Sequence, residues 1–249
     1  MRRTNGGSRI ARTHLTRLSA WLAAVIALGA ILSGCSVSTD GAAHPEAAGA
    51  QSTESGGAAE SGPRMISVVA VDTAGNPVNG YSLGGGGDSF TATDIRYCSH
   101  ALGATTDGVY RCGTTAQSAN ACWPSPGRLL CTPDPWTTRL TAYGYSGSLP
   151  VLGQPDPDIF PWALELADGA RCVARNGGAW PMPPAGFEFG YSCRSGSVYS
   201  FVFYRPQLGT GVGALFDKSQ SDWTVFHGDG ESAPAPIGVS TVFYSAAAR

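Results

Sequence analysis

The chain is 249 residues long, with sixteen basic and eighteen acidic side chains and a formal net charge of −2. Five of the bases and none of the acids lie in the first nineteen residues, so the remainder carries eleven bases against eighteen acids, a formal charge of −7. An acidic surface of that kind argues against nucleic acid as a partner, and the presence of a single lysine, Lys218, among many arginines reads as GC-rich coding rather than as function.

Arg2, Arg3, Arg9, Arg12 and Arg17 precede an uncharged apolar run at residues 20–32, the layout of an export signal with its basic and hydrophobic regions. The run falls short of the roughly 20 apolar residues that a spanning helix needs. It closes with Leu32-Ser33-Gly34-Cys35, which matches the lipobox of bacterial lipoproteins: the small residues fit a peptidase groove, and the Cys35 thiol takes the diacylglyceryl group. Residues 1–34 are therefore expected to be a cleaved signal peptide. Cys35 becomes an acylated N-terminus holding the protein to the extracytoplasmic face of the cell membrane, with more than one acyl chain for stable anchoring. An ordinary hydrophobic helix followed by a buried cysteine would leave the charge asymmetry, the short run and the LSGC sequence unconnected. Arg2-Arg3 lies too far from the apolar run to favour twin-arginine export.

From residue 36 to 64 the chain is almost wholly Ser, Ala, Gly, Thr, Glu, Asp, Gln and Pro, with Val37 as its only larger aliphatic residue. Such a segment buries too little apolar surface to offset its ordering entropy. Residues 35–64 thus read as the lipidated N-terminus and a disordered tether, with an r.m.s. reach of roughly 30 Å for a Gly-rich coil of this length.

Beyond residue 65 short runs of Val, Ile, Tyr, Phe and Trp alternate with Gly, Pro and Asx-Gly signals, the pattern of an all-β protein. Strands are expected at 66–71, 90–97, 109–111, 128–131 and 140–145, and later at 187–193, 198–204, 223–226 and 239–244. The clearest hairpin turns at Asp168-Gly169, a dipeptide suited to a type I′ turn, and would set Trp162, Leu164 and Leu166 on one face. One short helix is expected at 114–122, capped by Thr114. Gly84 to Gly87 reads as a flexible loop. Four prolines within residues 150–161 divide the chain into a β subdomain at 65–150 with four cysteines and another at 151–249 with two. The fold class expected is mainly β, antiparallel and sandwich-like or split into two small β subdomains, with at most one short helix and disulfide staples.

Once Cys35 is assigned to lipid, Cys98, Cys112, Cys122, Cys131, Cys172 and Cys193 form an even set in an exported chain, which reads as a disulfide framework. Six cysteines allow 15 connectivities. The pairing preferred is local: Cys172 with Cys193, Cys122 with Cys131 and Cys98 with Cys112. None of the short spacings that metal ligation favours is present, so neither metal nor cofactor is expected.

Two cassettes carry a resemblance. Val109-Tyr-Arg-Cys112-Gly, Ala121-Cys122-Trp123-Pro124 and Leu129-Leu-Cys131 with Asp134-Pro-Trp136 form the first. The second is Trp162-Ala-Leu-Glu-Leu-Ala-Asp-Gly-Ala-Arg-Cys172 with Gly177-Gly-Ala-Trp180, Tyr191-Ser-Cys193 and Asp217-Lys-Ser-Gln-Ser-Asp-Trp223-Thr-Val. Over residues 95–226 they resemble a group of uncharacterised exported and lipid-anchored proteins from mycobacteria and related actinobacteria. The resemblance implies a surface address and a matching cysteine count, and no activity.

Catalytic signatures are sparse. Only His100 and His227 lie beyond the tether, which contains His44, and each reads first as a loop residue. The sequences around Ser192 and Ser146 fail the last position of a GxSxG elbow. Gly209-Thr-Gly211-Val-Gly213 lacks the following long helix of a dinucleotide site and reads as a β turn leading to another strand. Asp156 and Asp158 offer fewer oxygens than Ca²⁺ requires. Glu165 and Asp168, a conceivable glycosidase pair, sit beside a tight turn where Asp serves the backbone. Trp180, on a Gly- and Pro-rich loop, is the candidate binding residue: it could stack on a sugar or anchor a partner. Its other reading is that it tucks back near the Cys172–Cys193 bridge. The function expected is a non-enzymatic envelope module that binds a protein or an envelope glycan, with an envelope hydrolase or a purely structural component as alternatives. The sequence leaves the oligomeric state open.

Overall fold

A computed structural model describes residues 62–249 apart from 89, 114–118, 175–176 and 210–211, and at 92 and 93 it describes the backbone alone. The signal, Cys35 and nearly all of the tether lie outside the described residues. Thirteen strands are present among them. The first seven are β1 (Arg64–Val68), β2 (Ser82–Gly86), β3 (Ser99–His100), β4 (Tyr110–Cys112), β5 (Ala119–Ser125), β6 (Arg128–Thr132) and β7 (Arg139–Gly144). The others are β8 (Ala163–Leu166), β9 (Arg171–Ala174), β10 (Glu188–Ser195), β11 (Val198–Tyr204), β12 (Thr224–Gly228) and β13 (Ala235–Ser245).

Strands β2 to β7 form one open sheet in the order β2-β7-β6-β5-β4-β3. Strands β8 to β13 pair in sequence, and β13 pairs with β8 as well as β12, so that these six strands close into a barrel. The long β13 also takes β1 as a parallel neighbour, which carries the start of the chain across the expected division at residue 150 into the sheet built by the second part. The other parallel pair is β2 with β7. The 150–161 segment that joins the two sheets is held at both ends by tyrosine hydroxyls, from Tyr110 to the Pro150 carbonyl (3.1 Å) and from Tyr191 to that of Pro161 (2.6 Å). The described residues all belong to one compact unit, Gly56–Arg249.

Period-two alternation sorts the apolar side chains into three cores. Leu164, Leu166, Cys172, Ala174, Tyr191, Cys193, Val202, Val225 and Val242 fill the barrel. Ala163, Val173 and Phe243, which alternate with them, meet Ala121, Trp123, Leu130 and Leu140 from the open sheet. On that sheet's far side Cys122, Leu129 and Cys131 pack under Ile95 of a short helix, α1 (Ala92–Arg96). The central layer holds Trp123 and Trp162, edge to face at 6.3 Å, and Trp123 donates its indole N–H to the Ala246 carbonyl (2.8 Å). Aromatic side chains of this kind each remove roughly 150–250 Å² from water.

The three disulfides are Cys98–Cys112, Cys122–Cys131 and Cys172–Cys193, the local pairing preferred above. Two of them join direct cross-strand neighbours, Cys122 with Cys131 and Cys172 with Cys193. With sequence separations of 14, 9 and 21, loop-closure entropy assigns each about 3 kcal/mol.

Several local expectations are corrected. Residues 92–96, expected within a strand, are helical, because the Thr91 hydroxyl accepts from the Asp94 N–H while the Asp94 carboxylate accepts from the Thr91 N–H, a capping box that overrides the β-like composition. Of the helix expected at 114–122, residues 114–118 lie outside the described residues and the rest belong to β5, which pairs with β4 on one side and β6 on the other. Among the described residues two short α-helices are present rather than one at most, the second being α2 (Val212–Leu215). Gly84, Gly85 and Gly86 are part of strand β2 and not of a loop; at Gly87, just beyond it, a Cβ would come within 2.2 Å of the Tyr143 ring. The Asp168-Gly169 hairpin forms, but only Gly169 has positive φ (+81°), and its N–H returns to the Leu166 carbonyl (2.9 Å). That geometry is a type I turn closed by a left-handed glycine instead of type I′. Trp162 precedes β8 and lies in the central layer, separate from Leu164 and Leu166 inside the barrel.

Candidate functional site

The outer face of the barrel carries a row of polar side chains at one level. Glu165 on β8 is opposite Arg171 on β9, Arg171 is opposite Arg194 on β10, and Arg194 is opposite Tyr199 on β11. Their neighbours Leu164, Cys172 and Cys193 point into the barrel, so alternation obliges the row to point out. Arg171 Nε lies 3.4 Å from Glu165 Oε1, and the Arg194 guanidinium lies 4.3 Å from the centre of the Tyr199 ring and bonds the tyrosine hydroxyl.

The facing wall is the 134–137 loop between β6 and β7. Asp134 organises it: its carboxylate accepts from the backbone N–H groups of Trp136 (3.0 Å) and Thr137 (2.7 Å) and from the Thr137 hydroxyl (3.1 Å). Tyr81 steadies the same loop by donating to the Pro135 carbonyl (3.0 Å), and burial together with the field of Asp134 pushes its hydroxyl pKa up to about 12. Trp136 packs edge-on against Phe243 at 5.2 Å and holds the Arg171 guanidinium over its ring, also at 5.2 Å. Between these walls runs a groove of about 670 Å³, whose lining also includes Val173, Ser192, Gly196 and Tyr199. This is a volume suited to a small ligand, and it offers two aromatic rings, two guanidinium groups and the hydroxyls of Ser192 and Thr137.

Trp180 lies elsewhere. It stacks on Phe189 at 4.7 Å and 20° and leans on Phe201 at 6.1 Å, as part of an aromatic patch on the outside of β10 and β11. The Cys172–Cys193 bridge is within the barrel, so Trp180 covers the opposite side of those strands.

His227 and Ser200 form a second polar pair, with 2.8 Å between His227 Nε2 and Ser200 Oγ. Ser200 is only 9% exposed. Burial pulls the His227 pKa below its ordinary value, against a smaller opposing field from Asp168. Asp168 itself caps the hairpin through the Ala170 N–H (2.9 Å). His100 is half-buried in β3, apart from this pair. Asp156 accepts from the Asp158 N–H (2.9 Å), and Asp158 accepts from the Val212 N–H (3.1 Å) at the start of α2, so one carboxylate is already engaged by a residue within the glycine run. The end of that run, of which 210 and 211 lie outside the described residues, forms the single helical turn α2, and the chain then continues through the Asp217–Thr224 bridge to strand β12. Among the described residues no group of three or more His, Cys, Asp and Glu is placed to hold a metal ion.

Sequence reasoning overlooked Arg171, Arg194, Tyr199 and Trp136 as partners in one site. Glu165 faces Arg171 because the hairpin loop spans three residues, 167–169, and not the two expected from Asp168-Gly169, and the alignment of Arg171 with Arg194 depends on the register of β9 against β10. In comparisons with known proteins, no protein-family model, no curated protein and no solved structure matches the chain.

Proposed function

We propose that this chain is a lipid-anchored module of a bacterial cell envelope that binds an envelope glycan in the groove between the barrel and the 134–137 loop. The observation that carries this reading is the pairing of Trp136 and Tyr199 with Arg171 and Arg194 around an open groove of about 670 Å³. Aromatic faces accept the C–H surface of a sugar ring, while fixed donors orient its hydroxyls. The Leu32-Ser33-Gly34-Cys35 sequence supports the membrane address, and three disulfides accord with an oxidising compartment.

Two experiments test the reading. Mass analysis of protein from its native host should find an acylated residue 35, and Cys35→Ala should leave the protein unprocessed and without lipid. Tyr199→Ala, at a 57% exposed position, should weaken retention on purified cell-wall glycan while leaving the melting temperature within a few degrees. Equal retention of the variant and the parent would remove the groove from the proposal.

The Ser200–His227 pair favours a second reading, an envelope hydrolase with Ser200 as nucleophile and His227 as its base. A serine-directed fluorophosphonate distinguishes the two: Ser200-dependent labelling supports the hydrolase, and none is expected of a binding module.

A further inference from the structure

The row across β8 to β11 has a charge pattern that the fold alone does not call for. Arg171 and Arg194 are direct cross-strand neighbours on one face, and like charges in that relation are destabilising. One acid, Glu165, serves the row, and it lies on the far side of Arg171 from Arg194. The row therefore keeps one formal positive charge, on the wall of a groove, in a molecule whose charge outside the first nineteen residues is −7. Asp134, across the groove, has its carboxylate engaged by its own loop.

Resting on the glycan reading above, we infer that the groove selects a saccharide bearing a carboxylate, held between the Arg171 and Arg194 guanidinium groups with its ring against Tyr199 and Trp136. A guanidinium presents paired donors that match the two oxygens of a carboxylate. Two guanidinium groups side by side complement one carboxylate, whereas a phosphate dianion would bring excess negative charge towards Glu165 and Asp134. The ligand anion relieves the Arg171–Arg194 repulsion as it binds, so affinity and discrimination against neutral sugars come from the same pair.

The test uses the full lipidated protein in detergent micelles and cell-wall glycan from its own host in three forms: untreated, carboxyl-reduced with carbodiimide and borohydride, and dephosphorylated with hydrofluoric acid. Carboxyl reduction should weaken binding roughly ten- to a hundred-fold, the range for losing hydrogen bonds to a charged group, and dephosphorylation should leave it unchanged. Arg194→Gln should weaken binding to the untreated glycan to a similar extent and should bind the reduced glycan no worse than the parent does. Arg205→Gln, on the separate aromatic patch near Phe187 and Phe226, should change nothing. Undiminished binding after carboxyl reduction, or loss of binding after dephosphorylation, overturns the carboxylate inference and leaves the glycan reading standing. Failure of every form to bind removes both.

Discussion

Replacing Gly103 with alanine probes the point where the linker, the barrel and the open sheet meet. Gly103 has φ +67°, and a Cβ there would lie 2.2 Å from the Trp162 backbone nitrogen and 2.9 Å from Pro161 C. Neither neighbour can withdraw easily, because Trp162 donates its N–H to the Phe243 carbonyl (2.8 Å) and the Gly103 carbonyl accepts from the Ser245 N–H (2.9 Å). The left-handed backbone costs about 1–2 kcal/mol for a residue with a side chain, and forced overlap in a packed core adds roughly 1–3 kcal/mol. Gly169→Ala separates the two contributions: its φ is +81°, but nothing lies within 4 Å of the added carbon. Any gain from stiffening the unfolded chain is common to both variants and cancels. Urea unfolding with the disulfides intact should therefore place Gly103→Ala about 2 kcal/mol below Gly169→Ala, with unchanged m values and a melting temperature lower by about 4–8 °C. Equal destabilisation of the two variants would refute the close approach of residue 103 to the Trp162 backbone.

Other perturbations address the barrel and the central core. In an NMR titration His227 should show a midpoint below 6.5, since burial disfavours its charged form, and Asp168→Asn should lower it further by removing the field that opposes burial. Because the folded pKa is depressed, the unfolded chain binds the proton more readily. The contribution of His227 is therefore complete above about pH 6.5 and is lost as pH falls through the folded value, a dependence that His227→Asn should flatten. Cys172→Ala with Cys193→Ala, which opens a separation of 21 residues, should cost about 3 kcal/mol in urea unfolding; a cost near zero would contradict the loop-closure account. Trp123→Phe should cost about 1–2 kcal/mol more than Trp162→Phe, since Trp123 donates to the Ala246 carbonyl whereas the buried Trp162 Nε1 has no partner.

Much of the local architecture is legible in order of residues. Alternating runs announce most of the strands, and Asp168-Gly169 marks the hairpin between β8 and β9. The same alternation carries Leu164 and Cys172 into the barrel and Glu165 and Arg171 out of it. What misled the reading was also local: the Thr91–Asp94 capping box outcompetes the strand-like composition around it, and the glycines of β2 join a strand because the parallel partner β7 supplies their hydrogen bonds.

By itself the sequence determined the β class, the cysteine set available for cross-linking and the amphipathic face of each strand, because these depend on neighbours along the chain and on a two-residue period. Only the tertiary structure decided that β13 closes the barrel on β8, that β1 crosses over to join it, and that Glu165, Arg171, Arg194 and Tyr199 stand in one row facing Trp136. Strand partners and register come from the collective packing of distant segments around the shared cores. A strand's alternation specifies which way a side chain faces and carries no information about which side chain will stand beside it.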